Sequence, residues 1–260
     1  MTTDPVLLSR EGDIATVTLN RPERLNAMNL DCWRRIGALA VELGSDDGLR
    51  CIVFRGAGGK AFAAGADIPA FASERSNAAQ AAAYGQVVQE TMAAVNACRH
   101  PTIALIEGVC VGGGLELAAS CDIRICGTSS RFGVPIGKLG LAMGYGELAG
   151  LIRLVGEAKA LEILLEGRIY GAAEALAMGL VSRVVADEDV AGEAYACARR
   201  VADNAPLVAR LHKKFVRRLR DPRPITPDEY AEAFAPMDGE DYHAGVAAFL
   251  AKRKPVFAGR

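Results

Sequence analysis

The stretch VGGGLELAAS, residues 111–120, decides how this chain is read. Three consecutive glycines, poor helix formers, stand directly before an apolar run of helical composition, and one acid, Glu116, lies inside that run. The segment TIALIEG, residues 102–108, precedes it as a short apolar strand, and DIRIC, residues 122–126, follows as another. A strand that turns through glycine into a helix leaves the first helical N–H groups unpaired and pointing outward. With the positive end of the helix dipole, those groups attract a negative oxygen. Glycine permits positive φ and the close approach of a ligand or another backbone. The plainer reading of the same glycines is packing alone, a helix drawn tightly onto a sheet.

A second segment has the same grammar. RCIVFRG, residues 50–56, is a continuous apolar run of the kind found in buried strands, and GAGGKAFAAGADI, residues 56–68, leads from it as a glycine-rich loop into helical sequence. Two such turns on neighbouring parallel strands would converge on one oxygen. Phosphate cradles fit neither turn. Residues 112–117 read G-G-G-L-E-L, lacking the third glycine of G-x-G-x-x-G, and Lys60 is not followed by the Ser or Thr of a P-loop.

Outward from these turns, strands and helices alternate. DIATVTL, residues 13–19, alternates Ala15, Val17 and Leu19 with Thr16 and Thr18, the pattern of a half-buried strand. Asn29 caps a helix carrying Trp33, Ile36, Ala40 and Leu43. An Ala- and Gln-rich helix over residues 76–98 stops before Pro101. Beyond residue 145 the chain is mostly helical apart from VSRVV, residues 181–185, and helices alone follow Pro206. The alternation predicts parallel pairing with crossovers. It divides the chain into an α/β core, residues 1–204, and a helical C-terminal region, residues 205–260.

Composition excludes several classes. With 260 residues, 51% hydrophobic and 23% charged, the chain suits one large domain or one domain and an appendage. Lys+Arg 30 against Asp+Glu 31 gives no field for nucleic acid or an anionic membrane. The 7 dispersed cysteines form no C-x-x-C pair and read as buried thiols of a reducing compartment. No signal peptide is apparent and no apolar stretch approaches the ~20 residues of a membrane span, so cytoplasmic residence is expected. The basic stretch Arg210, Lys213, Lys214, Arg217, Arg218 and Arg220 reads as a solvated helix face opposite Leu211, Phe215 and Leu219. His100, at a helix end, reads as a charge complementing the dipole. No G-x-S-x-G or H-E-x-x-H motif occurs.

NRPERLNAMN (residues 20–29), KAFAAGADI (60–68), GVCVGGGLELAASCDIRI (108–125), RFGVPIGKLG (131–140) and the ending AGVAAFLAKRKPVF (244–257) together resemble the crotonase superfamily of enoyl-CoA hydratases and isomerases. The resemblance implies a spiral of ββα turns followed by C-terminal helices, and a homotrimer or dimer of trimers whose last helices contribute to oligomerisation and cover CoA. It implies an acyl-CoA thioester substrate and no separate cofactor or metal. The N–H groups of Ala66 and Gly113 would hold the thioester oxygen as charge develops on it, and Glu116 would act as acid/base. Arg24, Ala64, Ala66, Asp67, Ile68, Gly113, Phe249 and Lys252 would bind acyl-CoA.

One position departs from the pattern. The second hydratase glutamate, after the proline of a segment like FGVPIG, is here Ile136. Three readings stay open: isomerisation with Glu116 alone shuttling the proton; hydration completed by another group, with Glu147 in GYGELAG the nearest candidate and Tyr145 beside it; or another chemistry of the family. Family isomerases keep the second acid rather than the first, which favours hydration and a hydro-lyase. A non-catalytic acyl-CoA-binding protein is the alternative of a different class.

Overall fold

A computed structural model describes residues 4–260. Ten strands run in chain order: β1 Val6–Glu11, β2 Ile14–Leu19, β3 Cys51–Gly56, β4 Ala61–Ala63, β5 Thr102–Ile106, β6 Val109–Val111, β7 Ile123–Gly127, β8 Arg131–Gly133, β9 Tyr170–Gly171 and β10 Arg183–Val185. Ten α-helices accompany them among the described residues: α1 Leu30–Gly44, α2 Phe71–Glu74, α3 Ala78–Ala97, α4 Gly113–Ser120, α5 Tyr145–Glu166, α6 Ala172–Ala177, α7 Val190–Ala202, α8 Pro206–Arg218, α9 Pro227–Glu232 and α10 Glu240–Leu250.

The strands form two sheets, β1-β2-β3-β5-β7-β10 and β4-β6-β8-β9. Within each successive turn of chain, one strand joins the large sheet and the next, only three residues long, joins the small one: β3 then β4, β5 then β6, β7 then β8. Pairing is parallel except β1 with β2 and β8 with β9. This is the α/β ββα spiral, with the helical C-terminal region following it.

The large sheet is covered on both faces. Along β3, Ile52 and Phe54 enter the main core with Trp33 and Ile36 of α1, whereas Cys51 and Val53 face a second cluster with Val190, Ala194 and Cys197 of α7. Period-2 alternation on a strand buried twice gives the continuous apolar run. The half-buried reading of β2 fails for the same reason: Thr16 is buried, and its hydroxyl shares a 3.0 Å hydrogen bond with the Tyr195 hydroxyl on α7.

Helix α8 overturns part of the expected solvated basic face: Lys214 and Arg220 are exposed, but Lys213 and Arg217 turn inward. Lys213 Nζ lies 2.6 Å from an Asp122 carboxylate oxygen with its side chain only 7% exposed, and Arg217 meets the same carboxylate at 3.2 Å. Val216 and Leu219 are instead exposed. The charges anchor α8 to the end of the β-layer at Asp122. His100 is no dipole-complementing cation either. It is fully buried with both ring nitrogens unpartnered, and burial together with Arg210 and Arg99 pushes its pKa down to about 4. All seven cysteines are buried free thiols. Among the described residues no helix is long and apolar enough to cross a membrane, and no cluster of ligating side chains suited to a metal occurs.

Candidate active site

The site forms where β4 and β6, parallel neighbours in the small sheet, end side by side. Beyond β4 the chain forms a parallel bridge with the loop of residues 20–29: Met28 donates its N–H to Gly65 O (2.8 Å) and accepts from Asp67 N–H (2.9 Å). In this parallel bridge the residue opposite Met28 is Ala66, whose own N–H therefore points away from that loop. Asn26 pins the loop in place. Buried and left-handed (φ 56°), it donates from its side-chain amide to Ala57 O at 3.0 Å and Ala61 O at 2.8 Å.

Beyond β6, Gly112 takes φ 51° and ψ −123°, a conformation closed to residues with a β-carbon. Its N–H goes to Gly133 O on β8 at 2.9 Å, and its carbonyl accepts the Glu116 N–H at 3.0 Å. Gly113 is thus the first residue of α4, where the helix has no acceptor to offer its N–H. Gly114 presses against β4, so a β-carbon there would stand 2.4 Å from Ala63 O. The two turns touch: β-carbons added at Gly65 and Gly112 would lie 3.8 Å from Gly113 N and 3.7 Å from the Gly65 α-carbon respectively. Among the described residues, neither the Ala66 nor the Gly113 N–H donates to a protein acceptor. Both residues are partly exposed while Gly65 and Gly112 are buried.

Glu116 sits one helical turn along. Its carboxylate curls back, with Oε2 3.8 Å from where a Gly113 β-carbon would stand. The residue is buried, and burial, then the negative charge of Glu147, raises its pKa to about 8, Arg75 opposing. No side chain among the described residues hydrogen-bonds the carboxylate, leaving it open to substrate or water. Trp33 forms the adjoining wall. Its ring would lie 3.1 Å from a Gly113 β-carbon, and its Nε1–H donates to Tyr84 Oη at 3.0 Å.

Other expected residues are placed as follows. Glu147, in the first turn of α5, accepts the Gly144 N–H at 2.6 Å as a helix cap, yet lies close enough to Glu116 to act on its charge. Tyr145 is 95% exposed. Ile136 packs against the main core. Asp67, buried, accepts from Arg21 at 2.7 Å and Arg24 at 3.2 Å, which ties two of the expected acyl-CoA residues to each other. Ala64 donates its N–H to Leu25 O at 2.9 Å, and Ile68 is half exposed. Phe249 and Lys252 are displayed at the end of α10 and just beyond it. Sequence reasoning missed Arg75, Tyr84 and Asn26. Arg75 lies in the polar-looking stretch FASERSN, residues 71–77, which gives no signal of an interior role.

A family model described as enoyl-CoA hydratase/isomerase matches residues 9–260. A probable enoyl-CoA hydratase of Mycobacterium bovis is 38% identical, with 100% of each chain covered. The short-chain-enoyl-CoA hydratase of Clostridium acetobutylicum is 33% identical over 96% of this chain and 95% of its own. Among solved structures, an enoyl-CoA hydratase/carnithine racemase from Magnetospirillum magneticum superposes with TM-score 0.97 at 51% identity, covering 100% of this chain and 97% of that one. The enoyl-CoA hydratase of Bacillus anthracis gives TM-score 0.92 at 29% identity, covering 98% and 100%. With two unpaired amides at adjacent strand ends, a buried acid beside them and full-length similarity throughout, this chain belongs to the enoyl-CoA hydratase/isomerase family.

Proposed function

We propose that the protein hydrates 2-enoyl-CoA thioesters, Ala66 and Gly113 holding the thioester oxygen and Glu116 moving the proton. The carrying observation is the pair of unpartnered N–H groups at the ends of β4 and β6 beside the Glu116 carboxylate. Conjugation transmits the pull of the two donors from the thioester oxygen to C3. Ionised Glu116 takes a proton from water, the resulting hydroxide bonds to C3, and the C2–C3 π electrons move onto the thioester oxygen as an enolate. Collapse of the enolate takes a proton at C2, returned by Glu116, so water's two hydrogens end on the new hydroxyl and on C2. Each oxyanion donor contributes about 10²–10³ in rate.

Glu147 has two roles in this scheme. Its charge makes Glu116 a stronger base, and the carboxylate oxygen not engaged with Gly144 orients the attacking water. Isomerisation is the second reading: with Ile136 offering no proton, Glu116 alone would remove a proton at one carbon and return it at another. Arg24 and Lys60, both exposed, supply positive charge for the CoA phosphates beside a 200 Å³ recess lined by Pro22, Leu25 and Gly58. Exposed Phe249 and Leu250 fit a C-terminal region, residues 205–260, that covers CoA and joins subunits of a homotrimer or dimer of trimers. CoA enters as part of the substrate and no other cofactor is needed. The free thiols fit a cytoplasmic setting.

The test follows the ultraviolet absorbance of the conjugated thioester with crotonyl-CoA and longer homologues, with product masses. Gain of one water, lost in Glu116→Gln and lowered in Glu147→Gln, supports hydration. A shifted double bond at unchanged mass supports isomerisation. Tight binding without turnover at every chain length overturns both.

A further inference from the structure

Arg75 is a cation the scheme above does not use. Its guanidinium carbon lies 3.9 Å from the Phe71 ring centroid and 4.0 Å from that of Tyr84, so aromatic rings occupy both faces. Its Nε is buried without a partner, and among the described residues the guanidinium makes no hydrogen bond or ion pair with a protein acceptor. An arginine stacked on both faces keeps only its in-plane edge for hydrogen bonding, the edge that meets a carboxylate bidentately. Leaving a desolvated guanidinium nitrogen unpaired costs free energy that a ligand anion would recover.

Its neighbours join it to the Gly113 side of the site. Tyr84, beneath the guanidinium, accepts from Trp33, and the Trp33 ring packs under Gly113. Two nearby acids are not its partners. Glu74 accepts the Leu30 N–H at the start of α1 at 3.2 Å. Glu116 lies within reach of the Arg75 charge, but among the described residues the two make no hydrogen bond or ion pair.

We propose that Arg75 receives a carboxylate at the far end of the acyl chain, so that the preferred substrates are monothioesters of unsaturated dicarboxylic acids with CoA. This substrate class rests on the hydratase reading above. A guanidinium serving a CoA phosphate instead would act equally on every acyl group, and the comparison below separates the two.

The experiment measures kcat/KM for crotonyl-CoA against the CoA monothioesters of pent-2-enedioic and hex-2-enedioic acids, for the unmodified protein, Arg75→Met and Arg75→Lys. Dissociation constants are measured in parallel for the saturated pairs glutaryl-CoA with butyryl-CoA and adipyl-CoA with hexanoyl-CoA. The unmodified protein is expected to favour at least one carboxylated member in both measurements. Arg75→Met should lower that preference about 10–100-fold, the range for a hydrogen bond between charged groups, and Arg75→Lys should retain part of it. Any effect of Arg75 on Glu116 is common to all substrates and cancels in the ratio. Absence of preference in the unmodified protein, which needs no variant to fold, overturns the proposal, as does an equal loss for both classes in Arg75→Met. If no enoyl thioester turns over, the hydratase reading fails alone, and the dissociation constants still judge Arg75.

Discussion

Glu116→Gln is expected to abolish turnover and, at the same time, to stabilise the fold. The buried carboxyl has its pKa raised to about 8 from an ordinary 4.5. A group whose folded pKa lies above its unfolded value favours folding only while protonated in both states, so its contribution is lost as pH rises from the unfolded value through the folded one. At 1.36 kcal/mol per unit, that shift sets a ceiling of roughly 5 kcal/mol against folding above about pH 8. Coupling to Glu147 and relaxation around the site reduce it by about half, to about 2–3 kcal/mol. Glutamine keeps the shape and removes the charge. With an unfolding entropy of ~2.1 cal/mol/K per residue, 2–3 kcal/mol raises the Tm of a chain this size by roughly 4–6 °C. Near pH 5 the gain should shrink below about 1 kcal/mol, because the folded-state carboxyl is then protonated and only part of the unfolded population is ionised. Calorimetric unfolding of both proteins at about pH 5, 7 and 8.5 makes the comparison. A Tm difference independent of pH, or a variant less stable at alkaline pH, would refute the argument that burial holds Glu116 against its charge.

Hydration should accelerate with pH toward a plateau above about 8, since the base must be ionised; a kcat/KM profile flat from about pH 6 to 9 would remove Glu116 from that role. Gly113→Pro deletes one donor N–H and should cost about 10²–10³ in kcat. Gly113→Ala carries the same crowding against Trp33 and Met28 while keeping the N–H, so the contrast between the two variants reads the donor. Gly114→Ala drives a β-carbon to 2.4 Å from a main-chain oxygen and should destabilise the fold by about 1–3 kcal/mol, checked by urea unfolding. Asp67→Ala strands Arg21 beside Arg24 and should cost about 3 kcal/mol, measured the same way.

What the sequence made legible was local. The turns at 64–66 and 112–114 and the acid after them depend on neighbours within a few residues, and strand, glycine and helix signals there agree. The small sheet was not legible as a sheet, because β4, β6 and β8 have three residues each, too few for alternation to register. Strand β1 pairs only with β2 and shows five exposed positions of six, so it carried no apolar signal. The inward face of α8 is dictated by Asp122, some ninety residues earlier, and a helix read alone assigns its cations to water. Arg75 gains its setting from Phe71 and Tyr84 on separate helices. The roles of Glu147 and Ile136 turn on distances that no spacing in the sequence encodes.

Both proposed oxyanion donors, Ala66 and Gly113, belong to the main chain, at the ends of two paired strands. Side-chain replacement cannot delete such a group; only proline, or a residue that rejects the Gly112 conformation, can. Mutational drift is therefore free to rework the rings, acids and cations around the acyl group while the electrophilic centre passes unchanged from one descendant to the next. A scaffold built this way can acquire new substrates without rebuilding its means of stabilising an enolate.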